Sequence, residues 1–171
     1  ETNCMTGYHA IPVVADAILK NTKGINVQKA YDAMKKSAMQ NIRGTDLYRE
    51  YGFIPQDKYG SSVTVTVEYA YDDWCIAQVA KKLGRMGDYN IFMKRSASWK
   101  NLFDPATGFI RAKNSDGNWV NPFDPYLSEH DEHKAMYTEG NAWQHSFFVP
   151  HDVKGLAAAH GGNEQFIKKL D

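Results

Sequence analysis

Between Tyr137 and His145 the chain reads Tyr-Thr-Glu-Gly-Asn-Ala-Trp-Gln-His. A carboxyl group, two amides, an indole and an imidazole fall within one short run. That set suits work on a sugar. The carboxyl of Glu139 moves a proton, the amides of Asn141 and Gln144 read hydroxyls, and the indole of Trp143 stacks on a pyranose ring. Gly140 leaves little bulk beside Glu139. The apolar, aromatic run from Ala142 to Val149, stopped by Pro150, predicts a helix. Such a helix would hold Glu139 at its N-terminal mouth, with Trp143 one turn on and on the same side. Tyr137 joins the candidate sugar contacts, as does His9 at the start of an earlier helix. On residue types alone the plainer alternative is the default: a Glu that only complements a helix dipole.

The rest of the chain must position these groups. Its 171 residues suffice for one domain with a real core. Twenty basic residues balance twenty acidic ones, which argues against nucleic acid or an anionic membrane as the main partner. Aromatics make up 13% of residues, with four Trp and ten Tyr, which fits either a large core or a carbohydrate cleft. No apolar run approaches the ~20 residues of a membrane span. The chain opens on Glu1-Thr2-Asn3 rather than Met and carries no signal peptide, so it is expected to be a processed or excised piece. Cys4 and Cys75 are too few for a disulfide framework and are expected as two buried free thiols, with a single bridge between them as the alternative.

Ile11, Val14, Ala15, Ile18 and Leu19 have the spacing of one helical face, and Pro12 falls in the first turn, where its missing N–H costs nothing. Asn26 caps a second helix carrying Val27, Ala30, Tyr31, Met34 and Ala38, and the two form a hairpin through Gly24. Residues 41–61, with Gly44, Gly52, Pro55 and Gly60, read as a long and hence functional loop. Val63-Thr64-Val65-Thr66-Val67 alternates like a strand but has no obvious partner. The stretch 62–83 is therefore expected as one helix, apolar nearly all round and buried. Asp72 and Asp73 on it point about a hundred degrees apart and are expected in buried ion pairs or helix–helix hydrogen bonds. A helix capped by Asp88 comes next. About forty residues with little helical pattern follow, with a hairpin signal at Asp116-Gly117. Asp152 and Asn163 are expected to cap two last helices. No phosphate loop, CxxC pair, HExxH or nucleophile elbow is present.

These elements predict an all-α fold of about seven helices in hairpins, with a long loop that contains a β-hairpin. One buried helix among amphipathic ones suggests an α/α toroid. A six-hairpin ring needs about twelve helices of roughly three turns or more, so residues 1–171 are read as part of an (α/α)6 catalytic domain.

With these pieces in place the sequence resembles glycoside hydrolase family 92, the calcium-dependent exo-α-mannosidases. The likeness rests on Gly7-Tyr8-His9-Ala10-Ile11-Pro12-Val13-Val14-Ala15-Asp16-Ala17, on residues 30–38, and on Val67-Glu68-Tyr69-Ala70-Tyr71-Asp72-Asp73-Trp74. It continues through Phe103-Asp104-Pro105-Ala106-Thr107-Gly108-Phe109, Pro122-Phe123-Asp124-Pro125, residues 137–144, and Phe148-Val149-Pro150-His151-Asp152. The matches cover nearly the whole chain, in order. The family pairs an N-terminal β-sandwich with an (α/α)6 domain, and the chain looks like a central slice of the latter.

The resemblance implies hydrolysis of terminal α-linked mannose, α-1,2 linkages foremost, with inversion. It makes Glu139 the general acid and places the general base and the calcium ligands downstream of Asp171, so no metal ligand is assigned within the chain. The implied partners are a mannose-containing glycan and the rest of the same polypeptide, in a bacterial protein exported to the periplasm or secreted. Inversion uses two carboxyl groups roughly 6.5–9.5 Å apart, leaving room for a water. A general acid must hold its proton near neutral pH, whereas a helix N-terminus works against that. A carbohydrate-binding helical module without chemistry, and a different toroid glycosidase or lyase, are the alternative functions.

Overall fold

The computed structural model describes residues 5–131 and 133–171. Cys4 lies outside them, whereas Cys75 is a buried free thiol. The fold is mostly helical. Helices α1 (Ala10–Leu19), α2 (Val27–Ala38), α3 (Thr45–Tyr51), α4 (Ser62–Lys82) and α5 (Met86–Ser96) form the first half. A 3-10 turn (Ser98–Asn101) leads to strands β1 (Phe103–Asp104) and β2 (Phe109–Ile110), and α6 (Ala142–His145), α7 (Val153–Ala159) and α8 (Asn163–Leu170) end the chain.

Helix α4 is the centre. Each of the three apolar clusters draws on it: Val63 and Val67 in the first, Cys75, Ile76 and Val79 in the second, Val65 and Tyr69 in the third. This settles the strand-like Val-Thr-Val-Thr-Val run as helix. A β-branched residue gives up at most about 0.7 kcal/mol in a helix relative to Ala. Burying a Val side chain returns about 1.5 kcal/mol or more, and Val63, Val65 and Val67 are all buried. The threonines between them find partners. Thr66 Oγ1 donates to Ser62 O at 2.7 Å and accepts from Ile54 N at 2.9 Å.

The α1–α2 hairpin forms as expected, with Asn26 Oδ1 accepting from Lys29 N at 3.0 Å, and it packs on α4 and α5. Residues 41–61 are more than a loop. They hold α3, bracketed by Gly44 and Gly52 at φ 74, and the Tyr48 hydroxyl ties α3 to Arg95 O at 2.8 Å. Helix α5 begins at Met86, before the expected cap. Asp88 instead accepts from Tyr31 Oη at 2.7 Å and Lys35 Nζ at 2.8 Å, which fixes α5 to α2. The β content is slight. Phe103 pairs with Ile110 and Asp104 with Phe109, antiparallel. A bridge between Lys113 and Trp119 closes the turn at Asp116-Gly117. Asp152 caps α7 through Gly155 N, whereas α8 is preceded by Gly162 at the cap position, with Asn163 as its first residue.

Candidate active site

Glu139 does not sit on a helix. It lies two residues before Asn141, the cap of α6, and adopts φ 51. A left-handed conformation is costly for any residue with a Cβ and tends to collect where geometry matters. Glu139 is exposed, at the mouth of a cavity of about 130 Å³ that it lines with Ser61, Glu129, His130, Tyr137 and Thr138. A second cavity, of about 550 Å³, shares Ser61 and Thr138 and is also lined by Arg43, Lys58, Tyr59 and His133. Of the four non-glycine residues with positive φ among those described, Arg43, Ser61 and Glu139 line these two cavities. Three strained positions thus line two neighbouring cavities that share Ser61 and Thr138.

The chain around Glu139 is held tightly. Thr138 N donates to Thr64 Oγ1 at 2.9 Å, and Thr138 O is 3.0 Å from His145 Nε2. His145 Nδ1 is 3.1 Å from the same Thr64 hydroxyl. Burial keeps the His145 pKa below the ordinary histidine value, so the ring is neutral. A Cβ on Gly140 would come within 2.8 Å of both Gln144 Oε1 and His145 Nε2. Only glycine lets the chain pass there.

The other sequence candidates are placed as follows. Asn141 and Gln144 form a capping box: Asn141 Oδ1 accepts from Gln144 N at 3.3 Å, and Gln144 Oε1 accepts from Asn141 N at 3.0 Å. Their amide oxygens serve the first turn of α6, while Asn141 Nδ2 donates to Tyr126 O at 3.5 Å. Trp143 is half-buried, with its edge against Phe109 and Lys169 Nζ 4.5 Å from its ring centroid. It lines neither cavity near Glu139. The helix face that Trp143 was expected to share with Glu139 does not exist, because α6 starts only at Ala142. Tyr137 is buried, and its hydroxyl donates to Ile110 O at 2.8 Å. It belongs to the first apolar cluster and also lines the smaller cavity, with its single donor taken.

His9 stands apart, at the start of α1, between two carboxyl groups of α4. Its Nδ1 is 2.9 Å from Asp72 Oδ1 and its Nε2 is 3.3 Å from Glu68 Oε2. Hydrogen bonds to Asp72 and then Glu68 push its pKa up to about 10. Asp72 also accepts from Tyr8 N at 2.8 Å. Asp73 turns the other way, to Arg95 Nε at 2.7 Å and Tyr8 Oη at 3.0 Å. Burial pushes the Asp73 carboxyl up to about 7, opposed by the Arg95 guanidinium. The adjacent aspartates thus face separate partners. Among the described residues no three His, Cys, Asp or Glu side chains converge as a metal site.

Sequence reasoning passed over Thr64, Ser61 and Glu68. Thr64 was hidden within a run read only for its apolar alternation. Its spacing from Glu68 and Asp72, four residues each, marks one polar stripe on an otherwise apolar helix, and that signal was available.

The fold has close counterparts. An α-mannosidase of family 92 from Bacteroides thetaiotaomicron superposes with a TM-score of 0.94 at 46% identity, over all of this chain and 22% of that one. The same enzyme has been solved in complex with mannoimidazole. A family 92 inverting mannosidase from Bacteroides thetaiotaomicron VPI-5482 gives 0.93 at 31% identity, over all of this chain and 24% of that one. An uncharacterized secreted glycosidase from Arthroderma benhamiae is 30% identical over 97% of this chain and 26% of its own length. The chain therefore spans about a quarter of the relatives it matches. The family model described as the glycosyl hydrolase family 92 catalytic domain matches residues 1–171. With the match unbroken from one end of the chain to the other, this protein belongs to glycosyl hydrolase family 92.

Proposed function

We propose that the protein containing this chain removes terminal α-linked mannose from glycans, α-1,2 linkages foremost, with inversion at the anomeric carbon. The observation that carries this reading is the whole-chain likeness, at 46% identity, to an α-mannosidase that also takes mannoimidazole. Within it, Glu139 is the general acid: an exposed carboxyl at the mouth of a polar depression, held in an unusual backbone conformation. It protonates the departing glycosidic oxygen while a base outside this chain activates water from the opposite face. The chain supplies part of an (α/α)6 toroid, and the remaining helices come from the rest of the polypeptide. Calcium is the cofactor expected of the family. By the same likeness its ligands belong largely to the remainder of the protein. Export, to the periplasm or beyond the cell, is the expected location. No helix among the described residues is long and apolar enough to cross a membrane.

The test is Glu139→Gln in the full-length protein. Turnover of an α-mannoside with an ordinary leaving group should fall by at least ~10²-fold. A mannoside with an activated leaving group should lose much less, since it departs with little protonation. Near-wild-type turnover of the ordinary mannoside would remove Glu139 from the role.

A further inference from the structure

We infer that His145 and Thr64 are positioning residues for Glu139, holding the acid at its working place through both peptide groups of Thr138. The inference rests on Glu139 being the general acid.

The hydrogen bonds assign themselves once their donors are counted. Thr138 N–H donates to Thr64 Oγ1 at 2.9 Å. The Thr64 hydroxyl proton is then free to go to His145 Nδ1, 3.1 Å away, which must accept it. His145 carries its proton on Nε2 and donates it to Thr138 O at 3.0 Å. The result is a closed ring of three bonds that engages the N–H and the C=O of the residue immediately before Glu139. The same imidazole lies against the residue immediately after it, since a Cβ on Gly140 would meet Nε2 at 2.8 Å and Cδ2 at 3.1 Å. Glu139 is thereby fixed from both sides in a left-handed conformation that a free chain would leave.

The foundations of this ring are rigid. Thr64 is buried on α4, the helix that feeds all three cores. His145 ends α6, whose start is locked by the Asn141–Gln144 capping box. The neighbouring Ser146 Oγ accepts from Ile110 N at 2.9 Å, which secures α6 to β2. Neither His145 nor Thr64 lines the cavity that Glu139 opens on. They act through the backbone of Thr138, without touching substrate. A shift of about 1 Å in a catalytic group costs on the order of 10²-fold in rate, so loosening this ring should appear in turnover.

The experiment uses the full-length protein with His145→Ala, Thr64→Val and Thr64→Ser, and with Glu139→Gln beside them. Each is assayed on a mannobiose and on dinitrophenyl α-mannoside. Thr64→Val keeps the shape of threonine and removes the hydroxyl, so it carries the test if His145→Ala does not fold. For His145→Ala and Thr64→Val we expect kcat on mannobiose to fall between ~10- and ~10²-fold with KM little changed. The loss should be several-fold smaller on the dinitrophenyl substrate, and Thr64→Ser should recover most of it. A purely structural role would lower both substrates equally, and that result overturns the inference, as does unchanged turnover. If Glu139→Gln shows leaving-group sensitivity and the other variants do not, the positioning role alone fails. If Glu139→Gln turns over mannobiose normally, the assignment of the acid fails first.

Discussion

Arg95→Met tests how the buried charges of α4 are supported. Arg95 reaches Asp73 through two bonds, Nε to Oδ2 at 2.7 Å and Nη2 to Oδ1 at 3.1 Å. The carboxyl is fully buried and the guanidinium side chain is only 12% exposed. Methionine replaces the stem but not the charge, leaving Tyr8 Oη as the remaining donor to Asp73. Losing one partner of a buried pair costs about 3–5 kcal/mol. The unfolding temperature of the full-length protein should fall accordingly. The deficit carries a pH signature. With Arg95 in place burial already pushes Asp73 up to about 7, and without it the shift grows. A carboxyl whose folded pKa lies above its unfolded value binds more protons when folded, so its burial is least costly at low pH. The deficit of Arg95→Met should therefore be smaller at pH 5 than at pH 8. Adding Asp73→Leu removes the stranded carboxyl and should restore much of the loss. Scanning calorimetry of the full-length variants at both pH values reads all of this. A deficit under about 1 kcal/mol, or one that is equal at the two pH values, would refute the assignment of Arg95 as the partner that makes a buried Asp73 tolerable.

Two further substitutions separate core from cleft around Glu139. Tyr137→Phe removes the donor to Ile110 O and should cost about 1–2 kcal/mol in stability, with KM for mannosides unchanged in steady-state assays; a raised KM would return Tyr137 to the list of sugar contacts. Gly140→Ala pushes a methyl against Gln144 Oε1 and His145 Nε2, each 2.8 Å from the new Cβ. Turnover should fall by ~10-fold or more while the fold survives in circular dichroism, and unchanged turnover would mean that this turn gives way freely.

Much of the frame was legible. Helices α1, α2, α4 and α7 follow from periodicity and from the caps Asn26 and Asp152, because burial and capping act locally. Helix α3 was not. Helix α3 exists because Tyr48 is buried and its hydroxyl reaches Arg95 O, a contact between residues far apart in sequence. At the site, α6 starts at Ala142 as its sequence predicts, behind the capping box of Asn141 and Gln144, but it ends at His145 instead of running to Val149. His9 was legible as a helix-start residue, but not its two carboxyl partners, which come from two turns of a helix some sixty residues away.

The reach of α4 has a consequence for how the chain comes apart. Its 21 residues, Ser62 to Lys82, run about 30 Å, from the turn that holds Thr138 to the end of α1. All three clusters share this one rod, so none can melt and leave the others whole. Local opening at the far end, where α1 and α2 pack, loosens the same helix that holds Thr138. Cooperative units of this kind lose order together. The placement of Glu139 is accordingly a property of the whole unit, and damage well away from the cleft will register there as lost turnover.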